Sequence, residues 1–301
     1  MRIGKEVTLQ KHSNKNILLT GATGFLGSHL LRAFLKKKWN VSIIKRSFSN
    51  TWRIDDLLSK IHYIDIDKDP FETIFKRQGP FNAVVHTATC QGRSEEKANQ
   101  IVEANLVFPL HLLETAVRFN TAFFFNAATI LNTYLNSYAL SKQQFSDWGR
   151  IFAQEKKIAF INLKQEHIYG PDDGASKFTS YIFKSLCNNV PKIELTLGEQ
   201  KRDFIYIDDV VQLYIILLEK TKQKKGFIEY EIGYGNAISI REFVETTKII
   251  AGADTNLKFG VKPYRKHEVM FFQANIDELK KMGWTPKFSI KDGITESLKD
   301  F

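Results

Sequence analysis

Cysteine is scarce in this chain: Cys90 and Cys187 are the only two among 301 residues. That excludes a disulfide framework and a cysteine-based metal centre, and makes a reducing compartment, the cytoplasm, the default expectation. Long apolar runs are missing as well. None approaches the ~20 residues that a membrane span needs. The opening MRIGKEVTLQKHSNKN lacks the apolar stretch of a secretory signal and reads as a short polar lead-in. No nucleic-acid motif accompanies the net charge of +10, and the basic residues are scattered, as in Lys36 to Lys38 and Lys222 to Lys225. Histidines and acids nowhere take metal-site spacing, so no catalytic metal is expected. Neither a membrane nor a nucleic acid is an expected partner. The positive charge that remains to be explained suits anionic small molecules.

What is present is a rhythm. Asn16 to Thr20 is a short apolar run that reads as a buried strand. A glycine-rich turn follows, then helical spacing from Ser28 to Lys38 through Leu30, Leu31, Phe34 and Leu35. Further strands are expected at Val41–Ile44, Ile61–Ile66, Ala83–His86, Ala122–Phe125 and Ile158–Leu163. Helices are expected at Glu103–Phe119 and Ser137–Gln154. Alternating strands and helices imply a parallel sheet with right-handed crossovers, covered on both faces. The fold class is therefore α/β, a doubly wound Rossmann-type sheet. After Gly170-Pro171 the rhythm breaks into shorter mixed elements, as a substrate-facing C-terminal lobe would. Phe204 to Leu218 reads as a strand and helix returning to the main sheet. The expected division is residues 14–167 plus 204–232 for the nucleotide-binding part and 168–203 plus 233–301 for the smaller lobe.

The strongest local signal is Gly21-Ala-Thr-Gly-Phe-Leu-Gly27, a strand–loop–helix glycine motif. The first glycine permits a tight turn, the second lets backbone approach a pyrophosphate, and the third lets the helix pack close. The helix N-terminus then presents free N–H groups to phosphates. At the end of the second strand an NAD enzyme usually carries a carboxylate for the ribose hydroxyls. Here the residues are Lys45, Arg46 and Ser47, with no acid until Asp55. Two cations and a hydroxyl suit a 2′-phosphate, so NADP(H) is the expected cofactor. A solvated basic loop is the other reading. Asp65 or Asp67 is placed to meet the adenine amine.

Tyr138 and Lys142 lie four apart on one helix and hence on one face. A phenol with a pKa near ~10 is a poor proton shuttle at neutral pH. An adjacent ammonium is expected to bring it down. The pair then exchanges a proton with a carbonyl or hydroxyl oxygen while hydride moves at the neighbouring carbon.

Together, Thr20 to Gly27, His86-Thr-Ala88, Asn105, Tyr138 with Lys142, Ile168-Tyr-Gly-Pro171 and Arg202 to Asp209 resemble the extended short-chain dehydrogenase/reductase family of sugar-nucleotide epimerases and dehydratases. The resemblance runs from Asn16 to the end. Finer segments are similar to the CDP-abequose and CDP-paratose synthase-like branch: Ala88 to Arg93, Ser137 to Phe145, Glu166 to Gly174, Lys177-Phe178, Gly198 to Asp203 and Met282 to Pro286. That branch implies NADPH-dependent reduction of a 4-keto group on a nucleotide-linked deoxysugar. Thr23, Phe25, Leu26 and Ala88 would join the three glycines around the cofactor, and Asn105 would join the catalytic face. Arg93 would reach the sugar, and Lys177, Arg202 and Arg265 the nucleotide end. For each of those last three the alternative is an ion pair with a nearby acid. The family also implies a homodimer built on the helix carrying the tyrosine.

One place breaks the pattern. The family puts Ser or Thr just after the fifth strand, beside the tyrosine, and the favoured branch typically reads Asn-Thr-Asp there. This chain reads Asn126-Ala-Ala-Thr129. Three explanations stand open: Thr129 takes over through a shifted loop, Tyr138 acts alone, or the alanines are introduced changes that trap a bound substrate. Dehydratases usually carry an Asp-Glu pair at these positions, so Ala128 and Thr129 argue against dehydration. An epimerase with tightly held cofactor, or a non-catalytic nucleotide-sugar binder, remains as the alternative.

Overall fold

The computed structural model describes residues 15–301 apart from Phe71, Ser94, Lys156, Glu166, residues 222–225, Lys266, His267 and Asp300. The polar lead-in and the 222–225 lysine run therefore lie outside the described residues, as do Glu166, Lys266 and His267 of the quoted motifs.

The elements follow in order. The first part contains β1 (Asn16–Thr20), α1 (Phe25–Lys36), β2 (Asn40–Lys45), β3 (His62–Asp65), α2 (Glu72–Gln78) and β4 (Ala83–His86). Next come α3 (Ala98–Val102), a π turn over Glu103–Val107, α4 (Phe108–Arg118), β5 (Phe123–Thr129), α5 (Ser137–Gln154) and β6 (Ala159–Gln165). The last part contains β7 (His167–Tyr169), α6 (Phe178–Cys187), β8 (Lys192–Glu194), β9 (Lys201–Arg202), β10 (Phe204–Tyr206), α7 (Ile207–Lys220) and β11 (Gly226–Ile232). The chain ends with β12 (Ile238–Ser239), α8 (Ile240–Ala251), β13 (Asn256–Lys258), α9 (Asp277–Lys281) and α10 (Ile290–Leu298).

Seven strands form one parallel sheet in the order β3-β2-β1-β4-β5-β6-β11. The strand order reverses between β1 and β4, and a crevice opens there beyond the carboxyl ends. Strand interiors are apolar on both faces because both faces are covered. Ile17, Leu19, Ile43, Val85 and Phe125 face the side carrying α1 and α7. Leu18, Val84, Phe124 and Phe160 face the side carrying Phe75, Leu112, Leu113 and Phe145. The first of these cores runs on without a break into Phe183, Phe204, Phe243 and Ile294 of the later elements.

Four expectations shift. Helix α1 starts three residues early, at Phe25, because Gly24 is its N-cap. The Glu103–Phe119 helix is longer and broken: α3 begins at Ala98, and a π turn precedes α4. Pro109 explains the break, since its ring cannot donate to Asn105 four residues back and would meet that carbonyl in an α-helix. A wider turn removes the conflict. Strand β5 runs four residues beyond Phe125, because pairing with β6 continues at Ala127↔Leu163, Ala128↔Lys164 and Thr129↔Gln165. Finally, β10 does not return to the main sheet. It pairs with β7 in a separate two-stranded sheet, α7 packs on α1, and β11 makes the return beside β6.

Candidate active site

The glycine loop sits in the crevice as expected. Gly21 takes φ +72°, and a Cβ there would lie 2.5 Å from the Ala88 nitrogen of the turn after β4. At Gly27 a Cβ would lie 2.1 Å from the Gly21 carbonyl oxygen, so only glycine lets α1 start this close to the loop. Gly24 has no such crowding, and no side chain caps the first turn of α1. Those N–H groups are left for an anion.

The crevice widens into a cleft of about 2100 Å³. That exceeds the ~300–1,000 Å³ of a single-ligand pocket and has room for a dinucleotide and a second molecule. Gly21, Thr23, Gly24, Phe25, Leu26, Gly27, Lys45, Arg46 and Ala88 line it at one end. Arg93, Thr129, Tyr138, Lys177, Arg202 and Arg265 line the rest.

The basic end of β2 is more structured than its sequence implies. Lys45 is 3.7 Å from the Asp65 carboxylate and lies over the Tyr63 ring. Ser47 donates its hydroxyl to Asp65 and its backbone N–H to Asp67, each at 2.7 Å. Ser47 and Asp65 thus hold each other beside the cleft, and neither is among the residues that line it. The Ser47 hydrogen bond holds the Asp65 carboxyl below its ordinary range. Arg46, stacked 4.5 Å over Phe48, and Asp67 line the cleft together with Lys45. Two cleft residues escaped the sequence reading. Ser49 accepts from the Arg46 N–H at 3.0 Å, and Arg53 donates to the Thr23 carbonyl of the glycine loop and to Asp172. Both lie in an aperiodic loop and carry no motif.

Tyr138 and Lys142 project from α5 below the end of β5. Lys142 is buried, and its Nζ has no hydrogen-bond partner among the described residues. Burial brings its ammonium down to about 8. An unpartnered buried ammonium one helical turn from the cleft-lining Tyr138 is what a ribose hydroxyl would satisfy, so the residues fit a nicotinamide dinucleotide. Tyr138 corrects the simple expectation. Burial raises its phenol, and the groups that pull it back are the Thr129 hydroxyl, the Arg93 guanidinium and the Thr89 hydroxyl. Lys142 is not among them.

Ala127 and Thr129 alternate onto one face of β5 and both line the cleft. Thr129 reaches Tyr138 because the strand continues in register, with no shifted loop. Asn105 is fully buried with every polar atom engaged. It accepts from Thr89 Oγ1 (3.0 Å) and Cys90 N (2.8 Å) and donates to Cys90 O (2.8 Å) and Ser141 Oγ (3.1 Å). No polar atom of Asn105 remains for a substrate, so it positions its neighbours. Thr89, absent from the expected set, lay within the quoted Ala88–Arg93 segment.

The expected nucleotide-end cations divide. Arg202 is held by Glu268 at 2.6 Å with both side chains largely buried. Lys177 pairs with Asp173 at 2.9 Å and lies over Phe25, which puts it against the glycine loop instead. Arg265 is exposed on the cleft wall and makes no ion pair among the described residues. Arg202 and Lys177 thus line the cleft while ion-paired, and Arg265 lines it without an ion pair among the described residues.

The sequence matches the NAD dependent epimerase/dehydratase family over residues 17–233. The chain belongs to that family. Within it, the chain is 34% identical over 292 residues to CDP-abequose synthase from Salmonella muenchen, covering 95% of this chain and 97% of the relative. Among solved structures, UDP-glucose 4-epimerase from Thermotoga maritima with UDP-glucose superposes with TM-score 0.82 at 22% identity, covering 95% of this chain and 98% of the other. The Thermus thermophilus UDP-glucose 4-epimerase complex with NAD gives 0.80 at 20% identity, covering 95% and 98%. At these identities the two structures speak for the fold. For the epimerase/dehydratase family the coarse chemistry follows: this is an enzyme that modifies sugar nucleotides with a nicotinamide cofactor. No described helix is long and apolar enough to cross a membrane.

Proposed function

We propose that this protein reduces the 4-keto group of a CDP-linked deoxysugar with NADPH. The observation that carries the reading is the catalytic end of the cleft. There Tyr138 meets hydroxyls and a guanidinium, while the two β5 positions that hold acids in dehydratases are Ala128 and Thr129. Similarity to CDP-abequose synthase over nearly the whole chain supports the CDP-sugar branch.

The cofactor would lie across the glycine loop, with Arg46 toward a 2′-phosphate and Lys142 on the ribose. When bound, it supplies the hydride. Tyr138 then donates its proton to the sugar oxygen, and Thr129 donates to that site as negative charge develops. Arg93 adds positive charge beside the phenol, and Arg265 meets the diphosphate through its guanidinium fork. The same proposal divides the chain into a nucleotide-binding part, 14–167 plus 204–232, and a smaller substrate lobe, 168–203 plus 233–301. A cytoplasmic homodimer is part of the same proposal. Leu140, Trp148 and Ile151, exposed along α5, offer an apolar face to a second copy.

The test is stoichiometry. Purified protein given NADPH and a CDP-linked 4-keto deoxysugar should oxidise one cofactor per sugar reduced. Interconversion of 4-hydroxy sugar nucleotides without net NADPH loss overturns the reading in favour of an epimerase. Arg46→Ala should weaken NADPH binding about tenfold, from a lost charge-assisted contact of ~1.5 kcal/mol, and leave NADH binding unchanged.

A further inference from the structure

We propose that Thr89 is a positioning residue for Tyr138: a hydroxyl supplied by the turn after β4 that stands in for the one missing from β5 and holds the phenolate once its proton has gone to the sugar. The inference rests on the reductase reading above.

The turn carrying Thr89 is fixed from three sides. Thr87 donates its hydroxyl to the Thr20 carbonyl at 2.8 Å, which ties the turn to β1. Both backbone groups of Cys90 are clamped by the Asn105 side chain at 2.8 Å. Asn105 in turn donates to Ser141 Oγ, and Ser141 donates to the Tyr138 carbonyl at 2.9 Å. Thr89 and Tyr138 are therefore referenced to one buried amide. Thr89 is exposed to the cleft, and its hydroxyl reaches that of Tyr138. At the end of β5 the usual donor position is Ala127, so the hydroxyls flanking the phenol are those of Thr129 and Thr89.

The arrangement has two settings. At rest the single Thr89 hydroxyl proton lies on Asn105 Oδ1. Thr89 Oγ1 then offers only lone pairs to Tyr138. When the sugar carbonyl is reduced, hydride joins its carbon, the Tyr138 O–H bond breaks, and that proton forms the sugar O–H. The phenolate left behind needs a donor. Rotation about the Thr89 Cβ–Oγ1 bond turns its hydroxyl proton from Asn105 to the phenolate, and Asn105 Oδ1 keeps the Cys90 N–H. The tyrosine recovers its proton from bulk solvent: as Thr89 Oγ1 takes a proton from a hydronium ion, which leaves as water, it passes its own to the phenolate. Donation that exists only for the charged phenol acts on the chemical step rather than on binding.

Three variants test this: Thr89→Val, which keeps shape and removes the hydroxyl; Thr89→Ser, which restores it; and Tyr138→Phe. The first readout needs no cofactor or substrate. Ultraviolet titration of each protein, taken as a difference from its Tyr138→Phe counterpart, isolates the Tyr138 phenol. Thr89→Val should move that titration to higher pH, and Thr89→Ser should return it. The second is single-turnover reduction. Thr89→Val should lower kcat by roughly 10–10²-fold with KM nearly unchanged, and Thr89→Ser should recover most of the loss. An unmoved titration in Thr89→Val, or equal damage in the serine variant, overturns the inference, since the effect would then follow packing alone. If Tyr138→Phe abolishes turnover while Thr89→Val leaves both readouts unchanged, this inference fails and the reductase reading stands. If Tyr138→Phe stays active, both fail together.

Discussion

The two ends of the cleft are built by opposite means. At the glycine loop the backbone does the binding, and the requirement on sequence is the absence of side chains. A Cβ at Gly21 or Gly27 would fall 2.5 Å or 2.1 Å from backbone atoms that cannot move independently. At Tyr138 the requirement is a hydroxyl within reach, and two different segments provide one. Backbone geometry admits one solution, so its motif survives intact. A side-chain function can be handed to a neighbour, so its motif can be rewritten while the chemistry stays.

That contrast can be broken at either end. The largest effect is expected from Gly27→Ala. Its methyl would force α1 away from the loop, which should cost on the order of 3 kcal/mol in a urea titration and abolish cofactor binding. Full stability with normal binding would mean that the loop yields. The next effect is in rate. Thr129→Val should slow single-turnover reduction about 10–10²-fold with binding intact, whereas Ala127→Thr should change it by less than about threefold. A large gain from Ala127→Thr would show that the hydroxyl was never delegated.

The smallest effect is on stability and depends on pH. The Lys142 ammonium titrates near 8 in the fold against an ordinary 10.5. The unfolded chain therefore holds more protons between those values, and stability rises with pH across that window. The penalty of the buried charge is present in full below pH 8 and fades toward pH 10.5. Lys142→Met should melt above the parent at pH 7, by on the order of 3 kcal/mol at most, and the gap should shrink by pH 10. A gap independent of pH would point to packing instead.

The sequence was legible where a pattern repeats or a backbone rule applies. The strand–helix alternation, the glycine loop and the face shared by Tyr138 and Lys142 all follow from periodicity, and helix Ser137–Gln154 lies where its spacing predicts. Partnership was not legible. Nothing local says that Glu268, 66 residues away, occupies Arg202. Nor does spacing reveal that Ser47 turns onto Asp65. The reach of β5 was missed because Ala127 and Ala128 carry no strand signal of their own. Pairing with β6 extends it, and that pairing is a property of two segments. Thr89 was hidden for the same reason, since its role depends on an amide 16 residues on.

The π turn at Glu103–Val107 has a consequence for how this chain tolerates change in length. A turn of that kind holds one residue more than an α turn, and one residue is about 100° of helix rotation. Asn105 faces the turn after β4 only with that extra residue counted in. Deleting Ala104 or Leu106 would leave every named functional group in the sequence and could even regularise the helix. It would also rotate α3 relative to α4 and carry Asn105 away from Thr89, Cys90 and Ser141. Insertions and deletions should therefore be far less welcome in this partly exposed turn than its modest composition implies, and Pro109 keeps the irregular turn from relaxing into a regular one.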